Sequence, residues 1–348
     1  MRLPRFDVLL PGTVEEACAL LAAHRDDGVR LLAGGTDLLV DLRERIIPQH
    51  IPRCDGCSSH PQGSVRSTID CNLWATEPTM ASGGSIRSFA THSNKPAPKF
   101  LVSLHKILDL KGIRRLDDGS LQIGAMTTIR EIERSQLIRS DWTALAHGAD
   151  NLGSPLVRNR GTLGGNVANA RPAADTVIPI VALDGVLTLQ SSSAQRTVPA
   201  AEFPTGPGVT VLAPEEIVTH IHLPKPPPHS ASAYYKLANR KALEISTVGV
   251  AVWMALERAN GPIAAVHIAL GAVGPTPLLA KTARDFLLHK VPTERTLKEA
   301  ARITAQDARP IDDHRGSASY RLQMVELLAE RLLNNVARRA MGEYEKDH

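Results

Sequence analysis

With 348 residues, 43% of them apolar and 22% charged, the chain has ordinary globular usage and room for two or three domains, which excludes whole-chain disorder. The 40 Lys and Arg exceed the 36 Asp and Glu by only +4, and five Phe, three Trp and four Tyr offer few stacking rings, so a nucleic-acid surface is excluded. The opening "MRLPRFDVLLPGTVEEACALL" lacks a secretory pattern and no apolar run reaches the roughly 20 residues of a membrane span. The expectation is therefore a cytoplasmic protein whose four cysteines are free thiols or metal ligands rather than disulfides.

In chain order, "TVEEACALLAAHRDD" (Thr13 to Asp27) predicts an amphipathic helix, capped by Thr13 and acidic in its first turn at Glu15 and Glu16. The strand "VRLLA" follows, then a second helix "LLVDLRERI" and a short buried strand "KFLVSL" (Lys99 to Leu104). Strand, helix and strand in this order make a small βαβ unit. Further on, "DGSLQIGAMTTIREI" predicts a strand and a threonine-capped helix, "DWTALAHGADNLG" a helix, and "GVLTLQSSSAQRTVPAAEF" a hairpin. "EEIVTHIHLPKPPPH" is a strand that stops at a Pro-rich link, Pro224 to Ser230, which marks a domain boundary. Beyond it come three strands, "SAYYKLA", "STVGVAVWMAL" and "PIAAVHIALGAV", and two helices after Pro292 and Ser319.

Between the second helix and "KFLVSL", residues 50–98 change abruptly to Ser, Thr, Pro, Gly and Asn without apolar periodicity, as in a poorly ordered insertion. The bland account is a disordered extension or a stretch arising from a gene-model error. Cys54-x-x-Cys57 with Cys71 nearby makes a weak metal candidate, since a fourth thiolate is missing locally. Cys18, on the first predicted helix, is assigned to packing.

The junction "LLAGGTDLL" pairs Gly34 and Gly35 with Thr36 and Asp37 at the end of a strand. Paired glycines bring several backbone N–H groups to one point, as an anion such as phosphate requires, although a tight strand-to-helix turn would look the same. A second segment, "RNRGTLGGNVANARPAAD", gathers Gly161, Thr162, Gly164, Gly165 and Asn166, with Asn169 and Asp175 a few residues on. Two such loops suit a dinucleotide, whose pyrophosphate can accept N–H bonds from both sides. Neither has the Gly-Lys-Ser/Thr ending of a P-loop nor the Gly-x-Gly-x-x-Gly spacing of a Rossmann site.

These two segments, together with "FPTGPGVTVLAPEEIVTHIHLP", "YYKLANRKALEISTVGVAVWMAL" and "IALGAVGPTPLLA", closely resemble the FAD-binding subunit, or medium chain, of molybdenum hydroxylases. That family includes carbon monoxide dehydrogenase, 4-hydroxybenzoyl-CoA reductase and the flavin domain of xanthine dehydrogenase. The resemblance spans nearly the whole chain outside the insertion. It implies an α+β fold: a two-subdomain FAD-binding domain of the vanillyl-alcohol oxidase type over 1–225, and a smaller C-terminal α+β domain over 231–345.

By motif, the resemblance assigns Leu32, Ala33, Gly34, Gly35, Thr36, Asp37 and Leu38 to the first pyrophosphate loop. Thr162, Gly164, Gly165, Asn166, Asn169 and Asp175 belong to the second. An acidic Asp175 suits a sugar hydroxyl or the flavin periphery better than phosphate. Leu152 and Gly153 align beside the flavin, Val218 near the adenine or the ring edge, and Lys236 close to the ring, where a cation would stabilise the anionic reduced form. Without the resemblance, Lys236 reads as a strand lysine reaching for solvent.

No Ser-His-Asp order, carboxylate pair or His-x-x-x-His helix stands out among the 13 histidines, and no protein acid or base is assigned. The implied function is electron transfer through non-covalent FAD. A large partner would carry the molybdenum cofactor and a small partner the 2Fe-2S clusters, in a dimer of heterotrimers. The alternatives are a self-contained FAD oxidoreductase and a flavin-free scaffold. The iron–sulfur cluster of the 4-hydroxybenzoyl-CoA reductase branch is not expected here, because its insertion follows the second glycine loop and that stretch is uninterrupted in this chain.

Overall fold

The computed structural model describes residues 3–44, 97–240 and 242–343. Cys54, Cys57 and Cys71, and the expected insertion up to residue 96, lie outside the described residues. The chain divides into two compact units, Met1–Pro4 with Leu39–Ala97, and Arg5–Leu38 with Pro98–His348. Among its described residues the first contributes helical residues 39–44. Apart from those helical residues, the features that follow belong to the second.

The chain begins with β1 (Asp7–Leu9), α1 (Val14–Ala23), β2 (Arg30–Leu32), α2 (starting at Leu38 and ending at Glu44) and β3 (Phe100–Ser103). The sheet order is β1-β3-β2, all parallel, which is the βαβ arrangement read from the sequence with one extra strand. Thr13 Oγ1 accepts from the Glu16 N–H and caps α1, which stops at Ala23 and gives way to a 3-10 turn over Arg25–Asp27. Val14, Ala17, Cys18 and Leu21 pack with Val102, Leu104, Ile107 and Leu110 in a small core. Cys18 is fully buried there, and desolvation pushes its thiol up to about 11. It is a packing residue, as its place on the helix implied.

The middle of the chain carries β4 (Ile113–Arg115), β5 (Leu121–Gly124) and the helices α3 (Ile129–Arg134), α4 (Gln136–Asp141), α5 (Thr143–Asn151), α6 (Pro155–Arg158), α7 (Leu163–Ala168) and α8 (Val177–Ala182). The hairpin β6 (Val186–Gln190) and β7 (Gln195–Pro199) follows, with a small ribbon of β8 (Pro204–Gly206) and β9 (Val209–Thr210), and then β10 (Ile217–Leu223). An antiparallel sheet in the order β4-β5-β10-β6-β7 backs the helices. Thr128 and Glu131 form a capping box at α3, as its sequence predicts.

After the Pro-rich link, β11 (Ser230–Leu237), β12 (Val248–Leu256), β13 (Ile263–Gly271) and β14 (Leu278–Leu279) form an antiparallel sheet. It is covered by α9 (Lys281–Leu287), α10 (Glu294–Asp307) and α11 (Ala318–Ala340). The last helix starts earlier than the sequence suggested, because Ser317 rather than Ser319 supplies the cap, accepting from the Tyr320 N–H.

The "VGVAVWMAL" strand is apolar at successive positions because both of its faces are buried. Val248, Val250, Val252 and Met254 join the core with α10 and α11, whereas Ala251 joins Tyr234 and Ala269 in the core that holds α5 and α8. On that second face the register stacks Ser232, Trp253 and His267 in one row, Tyr234, Ala251 and Ala269 in the next, and Lys236, Gly249 and Gly271 in a third. The two glycines leave a notch. A Cβ on Gly271 would overlap Ile178 Cδ1, and one on Gly249 would lie 2.9 Å from the same atom. Ile178 of α8 is fully buried in this gap, which sets the residues just before α8 above the end of β11.

Candidate functional site

The first glycine stretch turns the chain from β2 into α2, and its glycines have separate reasons. Gly35 sits at φ +74°, a conformation costly for any residue with a Cβ. Gly34 lies against the second stretch: a Cβ there would overlap the Arg160 carbonyl oxygen and approach Gly161 Cα at 2.9 Å. The paired glycines therefore make the turn and also bring two distant segments into backbone contact. Among the described residues, the N–H groups of Gly34, Gly35 and Thr36 form no hydrogen bond within the chain. Gly34, Gly35 and Thr36 are half-buried, and backbone donors left unpaired in this way are available to an anionic ligand.

The second stretch differs from the expectation of a matching N–H loop, because Leu163–Ala168 is helical. The Leu163 N–H donates to Thr127 O at 2.9 Å and the Gly164 N–H to Ala125 O at 2.8 Å. The Gly165 N–H reaches Thr162 Oγ1 at 3.2 Å and the Asn166 N–H reaches Thr162 O at 3.0 Å. Its first four donors are therefore engaged internally. Gly164 is required for packing, since a Cβ there would lie 2.5 Å from Ala125 Cβ. Gly165 faces the first stretch, its hypothetical Cβ falling 3.8 Å from Ala33 Cβ and 2.9 Å from Thr162 Oγ1. Asn169 caps the helix C-terminus, and Asn166 Oδ1 accepts from Thr176 Oγ1 at 2.6 Å.

Thr176 is followed in space by a buried charged cluster centred on its chain neighbour Asp175. Asp175 is 6% exposed. Its Oδ1 accepts from Tyr234 Oη at 2.8 Å and Ser246 Oγ at 3.0 Å, and its Oδ2 accepts from Lys236 Nζ at 2.7 Å. Lys236 Nζ also donates to Asn151 O at 3.1 Å, next to the Leu152–Gly153 turn, where Gly153 has φ +54°. Burial pushes the Asp175 carboxyl up, against the opposing pull of Lys236, Tyr234 and Ser246. Burial and the neighbouring Asp175 charge push the Tyr234 phenol well above its ordinary value, so it acts as a donor. The turn itself is fixed from behind by Arg158, which bonds the Asp150 and Leu152 carbonyls and pairs with Glu133 at 2.9 Å.

The structure thus brings together Leu152, Gly153, Asp175 and Lys236 in one neighbourhood, and Ala33–Thr36, Thr162, Gly165 and Asn166 in another, linked through Thr176. Leu32 ends β2, Asp37 is exposed, and Leu38 opens α2. Val218 lies apart in β10, 5% exposed and paired with Leu189. Tyr234, Ser246, Asn151 and Thr176 were not singled out from sequence. The alternation in "SAYYKL" carried part of the signal, since it sets Tyr234 and Lys236 on one face of a strand. Among the described residues no group of His, Cys, Asp and Glu could hold a metal ion, and no helix is long and apolar enough to cross a membrane.

A family model described as the FAD binding domain in molybdopterin dehydrogenase matches residues 73–226, and the CO dehydrogenase flavoprotein C-terminal domain matches residues 233–336. The xanthine dehydrogenase FAD-binding subunit of Escherichia coli is 30% identical over 291 residues, covering 83% of this chain and 98% of that one. The chain belongs to the FAD-binding subunits of the molybdopterin dehydrogenases. Within this family it is also 30% identical to the carbon monoxide dehydrogenase medium chain of Hydrogenophaga pseudoflava, over 95% of this chain and 96% of that one. The solved carbon monoxide dehydrogenase from Hydrogenophaga pseudoflava, in a form lacking the Mo-pyranopterin moiety, contains a chain that superposes with a TM-score of 0.78 at 29% identity, covering 98% and 99% of the two chains. The gap between the two family matches, residues 227–232, overlaps the Pro-rich link. The first match begins at residue 73, so it takes in part of the stretch read as an insertion.

Proposed function

We propose that this subunit binds FAD non-covalently and passes electrons between iron–sulfur clusters of a small partner and a terminal donor or acceptor, while a large partner carries the molybdenum cofactor. The observation that carries the reading is the Gly34–Thr36 turn, whose N–H groups have no partner among the described residues and whose Gly34 packs on the Arg160–Gly161 backbone. That donor set fits a pyrophosphate. When bound, FAD supplies the electron chemistry, and no acid or base is required of the protein.

In this reading Leu32–Leu38 form the phosphate cradle, and Thr162, Gly164, Gly165, Asn166 and Asn169 form its opposite wall. Leu152, Gly153, Asp175 and Lys236 surround the flavin ring, and Val218 stands behind the adenine or ring edge. The finer architecture is a two-subdomain flavin fold of the vanillyl-alcohol oxidase type over 1–225 with a C-terminal domain over 231–345, working in the cytoplasm as part of a dimer of heterotrimers. The mixed helix and sheet architecture and the superposition on carbon monoxide dehydrogenase support it. The test is the visible spectrum of the purified chain after incubation with FAD and gel filtration. Retained oxidised-flavin absorption in stoichiometric amount is expected, and a colourless protein would reject the reading. Co-purification with a molybdenum subunit and an iron–sulfur subunit checks the second half.

A further inference from the structure

The polar cluster around Asp175 joins elements from both sides of the Pro-rich link and is almost sealed from water. Tyr234 is 3% exposed and Ser246 is fully buried. The Lys236 and Asp175 side chains are 7% and 8% exposed. A buried ion pair holds its charges only when the remaining lone pairs and protons are also satisfied. Here the division is specific: Oδ1 takes both neutral donors and Oδ2 takes the ammonium. On the other side of Lys236 lies the Asn151 carbonyl, and Asn151 is exposed, so the cluster meets the surface beside the Leu152–Gly153 turn. Two hydroxyls therefore bond one oxygen of a carboxylate whose other oxygen holds a lysine.

We propose that Tyr234 and Ser246 are positioning residues for the bound flavin: by donating to Asp175 Oδ1 they keep that carboxylate charged and its other oxygen on Lys236, and so hold the charge beside the flavin near neutrality. This rests on the reading that FAD binds next to Lys236. Both hydroxyl-bearing residues are buried, Tyr234 at 3% exposure and Ser246 completely, so their route to a bound ligand runs through Asp175. Without them Asp175 gives up its charge more readily, the Lys236 ammonium is left uncompensated, and a net positive charge in a site of low dielectric favours the reduced, anionic flavin.

The experiment measures the flavin midpoint potential, by equilibration with redox dyes at one fixed pH, on full-length chain loaded with FAD. The variants are Ser246→Ala, Tyr234→Phe with Ser246→Ala, Asp175→Asn and Lys236→Met. The potential should rise in the double variant and in Asp175→Asn, and fall in Lys236→Met, with the double variant retaining bound FAD. An unchanged potential in the double variant, while Asp175→Asn and Lys236→Met still shift it, overturns the proposal and leaves the flavin site standing. No shift in any variant, with FAD bound, overturns the placement of the flavin beside Lys236 and the proposal with it. Should the double variant fail to fold, Ser246→Ala alone decides: a smaller rise supports the positioning role and an unchanged potential rejects it.

Discussion

The Asp175 carboxylate and the Lys236 ammonium lie 2.7 Å apart, with side chains 8% and 7% exposed, and they come from opposite sides of the Pro-rich link. An ion pair buried this deeply contributes little net stability when intact, but removing one partner leaves the other charged in a medium that cannot solvate it. At a pH where Asp175 stays charged, Lys236→Met should therefore lower the unfolding free energy by about 3–5 kcal/mol. Urea unfolding checks this, and a loss within experimental error of zero would mean that the pair is solvated in solution.

The same carboxyl gives a pH dependence with a defined sign. Burial raises Asp175 above its ordinary 3.8 in the folded chain. The native state then binds more protons than the unfolded one, so the group's contribution is complete below about pH 3.8 and is lost as pH rises through the raised value. Asp175→Asn cannot titrate. The stability of wild type relative to Asp175→Asn should fall as pH is raised from about 4 towards neutrality. Urea midpoints at several pH values give the comparison, and a difference that rises instead would show that Lys236 and the two hydroxyls outweigh burial.

Ile178 fills the notch between Gly249 and Gly271, and that contact is what seats α8 on the C-terminal sheet. Ile178→Ala should cost about 2–5 kcal/mol as a cavity opens. Gly271→Ala should do at least as much harm by overpacking, since its Cβ has no space. If both variants unfold at the wild-type urea concentration, the notch does not fix α8.

Much of this arrangement was legible where local chemistry decides. Thr13 and Thr128 mark helix starts because their side chains bond the N–H three residues on. The central strand of the C-terminal sheet, β12, announces itself because both of its faces are buried. Other parts were silent. The α7 helix, written with Gly164, Gly165 and Asn166, has poor intrinsic propensity and is held by the Ala125 and Thr127 carbonyls, which sequence spacing cannot reveal. In α8, Pro179 reads as a breaker, yet it sits in the first turn, where its missing N–H has no helical acceptor to lose. The three-residue strands β1 and β4 are too short to show a period. At the site, the glycines, Asp175 and Lys236 were visible as residue types. The donors on Asp175 lie 59 and 71 residues away, so only tertiary contact reveals them.

Gly34 and Gly35 should respond differently to alanine. Gly35→Ala forces a Cβ into a left-handed conformation and costs about 1–2 kcal/mol, with FAD still bound more weakly. In Gly34→Ala the Cβ meets the Arg160 carbonyl, so the two stretches must separate and the cradle loses its wall. Isothermal titration with FAD should show a modest loss for Gly35→Ala and no measurable binding for Gly34→Ala. Equal affinities in the two variants would detach the inter-stretch contact from ligand binding.

Covalent flavin needs a nucleophilic side chain in reach, and neither residues 32–38 nor 160–169 contain His or Cys. Acid precipitation of the loaded protein should therefore release the yellow colour into the supernatant, whereas flavin kept in the pellet would place a linkage outside these stretches. The same assay separates the two walls of the site. Gly165→Val puts a branched side chain between Thr162 Oγ1 and Ala33 Cβ, positions only 2.9 and 3.8 Å from a bare Cβ. It should abolish flavin in the supernatant while circular dichroism stays like that of the wild type, because the six-residue α7 is a small part of the fold. Normal flavin release from Gly165→Val would remove the α7 stretch from the binding site and leave the Gly34–Thr36 cradle to hold the ligand alone.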